Sequence, residues 1–247
     1  MTKRTLRAWR GDDKTGRFET YTTDVDEGMV VLDLIHKVQA ESAGDLAVRW
    51  NCKAGKCGSC SMEVNGKPKL ACMNRLSDYA EDEVITVQPL KAFPIIKDLV
   101  TDVSWNYKQN KRITPFTPPA GSGDKGDFIM MQEDVDRVQE FRMCIECFLC
   151  QDTCHVLRDH DKQDDFVGPR FMVRLASLDM HPIDTADRIP AIKEEYGSGM
   201  CNITRCCTEV CPEHINITDN AIIPLKERVV DRYYDPLIWL WGKITGR

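Results

Sequence analysis

The chain has 247 residues, 42% of them hydrophobic, which suits two modest domains better than one large core. Its 39 acidic and 33 basic side chains leave a formal charge of −6, and this argues against a nucleic-acid binder, which presents a basic surface. There are twelve cysteines, no apolar leader in the opening MTKRTLRAWR, and no uninterrupted apolar run of about 20 residues. A cytosolic-side protein with reduced, metal-bound thiols is therefore expected, and not a disulfide framework or a membrane span.

Thr5 to Arg10 and Arg17 to Thr23 read as short strands joined by the turn-rich GDDKTG. Met29 to Ala40 (MVVLDLIHKVQA) has helical periodicity, with Val31, Leu34, Ile35 and Val38 on one face. His36 on this helix is expected to be packed or solvated, not a ligand. Ser61 to Val64 leads into Asn65-Gly66, a type I′ hairpin signal, and Glu83 to Gln88 (EVITVQ) alternates as a strand. Ile95 to Tyr107 reads as a connecting helix. The stretch TPFTPPAGSGDKGD from Thr114 is too rich in Pro and Gly for regular structure. Helices are then expected over Phe128 to Phe141, Pro169 to Met180, Thr185 to Tyr196 and Thr218 to Asp231. The fold class is α+β: a small sheet with one helix, then an α-helical half threaded around cysteines.

The first cysteine group lies in the sheet unit. Cys52, Cys57 and Cys60, followed at a distance by Cys72, have the C-x4-C-x2-C…C spacing of plant-type [2Fe–2S] proteins. Gly55 and Gly58 suit a chain folded around a cluster, where unusual dihedrals are needed and exposed amides donate to sulfur. The alternative is structural zinc, which favours repeated C-x2-C pairs; here only Cys57 and Cys60 form one.

Two further blocks superpose without a gap, CIECFLCQDTC (Cys144 to Cys154) and CNITRCCTEVC (Cys201 to Cys211). The first has the C-x2-C-x2-C-x3-C spacing of two-cluster ferredoxins, in which the fourth cysteine serves the other cluster. Crossing the blocks gives one site of Cys144, Cys147, Cys150 and Cys211, and another of Cys154, Cys201 and Cys207. Thr204 stands at the place of Cys147 and leaves the second site a ligand short. A threonine hydroxyl is a poor ligand for this iron, so the expected pair is one [4Fe–4S] and one [3Fe–4S] cluster. Cys206 superposes on Leu149 and is expected to be a buried non-ligand. Neither His155 nor His214 belongs to the paired Cys/His set of a Rieske centre. With no carboxylate pair, nucleophile elbow, phosphate loop or nicotinamide fingerprint, the chain reads as an electron carrier without substrate chemistry of its own.

Taken together, CKAGKCGSC with NGKPKLAC, CIECFLCQDTC, FVGP at Phe166 to Pro169 and the block ending in Cys211-Pro212 resemble the iron–sulfur subunit of succinate dehydrogenase and its fumarate reductase relatives. The resemblance covers nearly the whole chain. It implies an N-terminal β-grasp [2Fe–2S] ferredoxin domain over residues 1–105 and an all-α two-cluster ferredoxin domain over 106–247. It also implies a flavoprotein partner that oxidises succinate at FAD, a membrane anchor, quinone as acceptor, and a peripheral position on the cytoplasmic face of a bacterial inner membrane. The aromatic run from Tyr233 to Trp241 (YYDPLIWLW) is compatible with an interfacial segment. Fumarate reductase, or an adaptor for another flavoprotein, is the alternative; adaptors that carry two cubanes would place a cysteine at position 204. This chain departs from the family pattern at His155, where proline is common, at the missing tryptophan that follows, and at Asn202, Lys53 and Ala54. Quinone contacts are therefore not assigned to residues.

Overall fold

The computed structural model describes residues 2–120 and 129–236. Strands β1 (Thr2–Gly11) and β2 (Gly16–Val25) form an antiparallel hairpin. The period of two in β1 buries Arg4, Leu6 and Ala8 on one face. Helix α1 (Val31–Glu41) buries Val31, Leu34, Ile35 and Val38 as expected, and the Asp33 carboxylate accepts the Val30 amide at 3.2 Å to close its first turn. Strands β3 (Ser61–Val64) and β4 (Lys67–Leu70) turn through Asn65 and Gly66, whose φ values of 47° and 75° are those of a type I′ turn. Strand β5 (Ile85–Gln88) runs parallel to β1 and antiparallel to β3, giving a mixed sheet of order β2-β1-β5-β3-β4. Leu6, Ile85, Val87, Met62 and the inner face of α1 share one core. His36 stays on the helix surface, edge-on to Trp50 at 4.9 Å between centroids.

The expected helix from Ile95 to Tyr107 is corrected. A short hairpin, β6 (Ile95–Lys97) and β7 (Val100–Thr101), comes first, and helix α2 spans Ser104–Arg112. The reason is Asp98, which turns at φ 51° and is buried. Its carboxylate accepts the amides of Gly11 at 2.9 Å and Ala47 at 2.8 Å, so tertiary bonds override the local helical pattern.

In the second half, helix α3 (Gln132–Gln139) is followed by the short helices α4 (Leu149–Asp152) and α5 (His155–Arg158). Helix α6 (Pro169–Asp179) starts on Pro169, which needs no amide partner there, and supplies much of the second core through Phe171, Met172, Leu175 and Ala176. The helix expected from Thr185 shrinks to α7 (Ile189–Glu194), because Arg188 is buried and bonds the carbonyls of Thr114 and Pro115, pinning the approach. Helix α8 (Cys206–Glu209) precedes α9 (Ile223–Tyr233), and a wide turn of π type over Ile217–Ile222 leads into α9 and packs on α6. The expected linker is irregular as far as it is described. Its continuation through 121–128, the start of the helix expected at Phe128, and the aromatic run beyond Pro236 lie outside the described residues.

The two cores meet along α4. Cys147, Phe148 and Leu149 pack into the N-terminal core, with Phe148 edge-on to Phe93 at 6.3 Å. Trp105 of α2 packs on both. Glu63 of β3, fully buried, pairs with Arg158 of α5 at 2.8 Å, and Asp152 of α4 accepts the Ala92 amide at 3.0 Å. Removing one partner of such a buried pair costs about 3–5 kcal/mol, because it strands the other charge in the interior.

Candidate iron–sulfur sites

All twelve cysteines are free thiols. The first group is the loop before β3 plus the end of β4. Lys53, Gly55 and Gly58 lie at φ 55°, 68° and 68°, curling the chain so that its amides point inward. Ala54 and Lys56 donate to Cys52 Sγ at 3.4 and 3.3 Å; Ser59 donates to Cys57 Sγ, and Cys72 to Cys60 Sγ, each at 3.5 Å. The thiols are graded by environment. Burial pushes Cys60 up to about 12. It also pushes Cys57 up, but the Ser59 hydroxyl and the Cys52 amide outweigh it and bring that thiol to about 7. A nest of amides around sulfur is what a cluster of negative charge requires.

The second group encloses a small cavity, lined by Cys144, Cys147, Cys150 and Cys211 with Arg170 and apolar side chains such as Val173 and Ile217. Cys211, from the second block, lines the same cavity as the three cysteines of the first. Burial pushes Cys147 up to about 12 and also raises Cys150 well above its ordinary value, with the charges of neighbouring cysteines adding to the shift. Isolated thiolates are disfavoured there, whereas iron stabilises the deprotonated form outright.

The third group is Cys154, Cys201 and Cys207. Burial raises Cys154 and Cys207 to about 11, and each feels the charge of Cys201 and of Cys206. The two blocks share their backbone as well as their spacing. Glu146 and Ile203 have φ 56° and 62°, and Phe148 and Arg205 have φ 61° and 65° before the matching helices α4 and α8. Left-handed residues at two positions of each block, none of them glycine, mark an imposed loop shape. Thr204 takes the place of Cys147 and is exposed. Cys206 differs from expectation: it is half-buried, its sulfur 3.2 Å from the Thr204 hydroxyl, because the loop before it faces outward where Leu149's loop is covered.

Among the described residues no three His, Cys, Asp or Glu side chains are arranged to hold a single metal ion. Gly58 brings the first two groups into contact. A Cβ there would lie 2.6 Å from the Cys147 Cα, so only glycine permits this approach. Sequence reasoning missed two contributors. Thr218 reaches Cys207 Sγ at 3.5 Å, and Arg170 lines the second cavity. The available signal for the latter was a cation inside the apolar run PRFMV, directly after the FVGP motif.

Sheet unit, cysteine nest and crossed helical blocks together define an iron–sulfur protein with one single-cluster and one dicluster domain. Comparison with known proteins agrees. Residues 5–108 match a 2Fe-2S iron-sulfur cluster binding domain, and residues 140–215 a 4Fe-4S dicluster domain. The chain is 30% identical over 232 residues to the fumarate reductase iron-sulfur subunit of Mycobacterium tuberculosis, covering 91% of each chain. It is 28% identical over 235 residues to the succinate dehydrogenase iron-sulfur subunit of Paracoccus denitrificans, covering 93% of this chain and 89% of that one. A solved chain of the Mycobacterium smegmatis Sdh1 complex in the apo form superposes with a TM-score of 0.93 at 61% identity, covering 95% of this chain and 98% of that one. The chain belongs to the family of succinate dehydrogenase and fumarate reductase iron–sulfur subunits.

Proposed function

We propose that this chain is the electron-transfer subunit of a succinate dehydrogenase, receiving electrons from FAD in a flavoprotein subunit and delivering them to quinone at a membrane anchor. Cys52, Cys57, Cys60 and Cys72 would hold [2Fe–2S]; Cys144, Cys147, Cys150 and Cys211 would hold [4Fe–4S]; Cys154, Cys201 and Cys207 would hold [3Fe–4S]. The clusters supply one-electron chemistry when bound. The chain's own residues set their order. Gly58 lays the first loop against Cys147, and Cys150 and Cys154, one turn apart, belong to the second and third groups. That unbroken sequence of neighbouring groups is the observation that carries the reading. The sheet order and its single helix support a β-grasp over residues 1–105, with 106–247 as the helical unit.

The higher identity to the Sdh1 chain, 61% against 30% for the M. tuberculosis fumarate reductase subunit, favours the succinate-oxidising direction. Among the described residues no helix is long and apolar enough to cross a membrane. Attachment to the cytoplasmic face would accordingly run through a partner, with the tail from Tyr233 as the contact. The test is to purify the assembly through this chain and assay succinate-to-quinone electron transfer. Succinate-dependent reduction of quinone, with a three-iron EPR signal in the oxidised protein, is expected. Complete clusters with no succinate activity in the intact assembly would assign the chain to another flavoprotein.

A further inference from the structure

The four-cysteine cavity carries one wall that is not apolar. Arg170 lines it beside the cysteines and is only 5% exposed. Local structure explains why a cation stands there. Gly168, at φ 84°, and Pro169 start α6, and the Arg170 amide then donates to Gln151 Oε1 at 3.2 Å, next to Cys150. The first turn of α6 is thereby docked on α4, and its arginine is delivered to the cavity wall.

One end of the guanidinium, Nη2, pairs with Glu146, which sits on the loop between Cys144 and Cys147 and is about half exposed. On the same edge of the guanidinium, Arg170 Nε is also buried and has no hydrogen-bond partner among the described residues. A guanidinium cannot shed its proton, so the side chain is a fixed positive charge on the cavity wall.

Resting on the reading of this cavity as the [4Fe–4S] site, we infer that the buried charge of Arg170 on its wall raises the reduction potential of that centre. Reduction adds one negative charge inside the cavity. A fixed cation at the wall stabilises that added charge more than it stabilises the oxidised form. Two acidic groups oppose it. Glu146 is screened by solvent on its exposed side, and Glu213, also on the cavity wall, is paired with Lys56 at 3.1 Å. Arg170 is left as the buried charge on the cavity wall. It is a positioning and tuning residue, not a ligand.

The test is an EPR-monitored redox titration of the intact complex, with iron and sulfide analysis of each variant. Arg170→Met should shift the [4Fe–4S] midpoint to more negative values by roughly a tenfold change in the reduction equilibrium, about 59 mV for one electron, leaving the [2Fe–2S] midpoint in place. Arg170→Lys should recover part of the shift, and Glu146→Gln should move the midpoint the opposite way. A purely structural role would alter cluster content without these opposed shifts. An unmoved [4Fe–4S] midpoint in fully loaded Arg170→Met overturns the inference. Should that variant fail to load, unmoved midpoints in both Arg170→Lys and Glu146→Gln overturn it equally. If the wild-type complex shows no [4Fe–4S] signal, the reading of the cavity itself falls and takes this inference with it.

Discussion

The two cysteine blocks have one backbone and two environments. In the first, Cys147 and Phe148 are buried against the N-terminal core, the loop touches Gly58, and Arg158 of the following helix is tied to Glu63. In the second, Asn202 to Arg205 are all exposed, and the pair that follows Cys211-Pro212, Glu213 with Lys56, leaves its lysine in solvent. A repeated loop thus keeps its geometry while its surroundings diverge. One copy is turned inward to the rest of the chain and has cysteines at 144, 147, 150 and 154. The other is turned outward and has a threonine at the place of Cys147.

The strongest way to break this comparison is to cut the crossing. Cys211→Ala lies in the second block but should abolish the centre of the first, while Cys154→Ala lies in the first block and should abolish the centre of the second. Iron content and EPR of the purified complexes would read this, with quinone reduction lost in both. If each substitution removes only the centre of its own block, the ligand sets are wrong.

A smaller effect is expected at the contact that makes the first block inward-facing. Gly58→Ala places a methyl group 2.6 Å from the Cys147 backbone at φ 68°. The dihedral alone costs about 1–3 kcal/mol, and the clash must be relieved by parting the two loops. Thermal unfolding should fall, and magnetic coupling between the reduced first and second centres should weaken. Unchanged coupling would mean that the loops do not meet.

The smallest effect on stability, though not on chemistry, is expected at Thr204, since exposed substitutions change folding by less than about 0.5 kcal/mol. Thr204→Cys restores the symmetry of the blocks. It should convert part of the three-iron EPR signal to a cubane of lower potential and slow quinone reduction, at an unchanged melting temperature. Persistence of the wild-type spectrum in a cysteine variant shown to be reduced would indicate that position 204 does not face the cluster. Cys206→Ser, tested beside it, should leave the spectrum as it is.

The cysteine register was legible because ligand spacing is local: a turn around a cluster dictates which residues are two, three or four apart. The α1 face, the Asn65-Gly66 turn and the start of α6 were legible for the same reason. What escaped depended on distant partners. The Ile95–Lys97 hairpin forms because Asp98 answers amides at Gly11 and Ala47. Glu63 and Arg170 carry no local mark of burial, since nothing nearby in the sequence shows that the other half of the chain will cover them. Cys206 was misjudged because matching it to Leu149 copied the register but not the covering layer.

The proposed ligand sets also bear on how the protein is made. The cavity lined by Cys144, Cys147 and Cys150 lacks Cys211 until nearly the whole polypeptide has left the ribosome. The sheet unit, by contrast, has all four of its cysteines by residue 72. On the proposed sets, the N-terminal centre would be open to filling while translation continues, whereas the other two would wait for the second block and be closed by the same few residues. Delivery of iron and sulfide would then fall into an early event and a late one, and a truncated product would carry only the first.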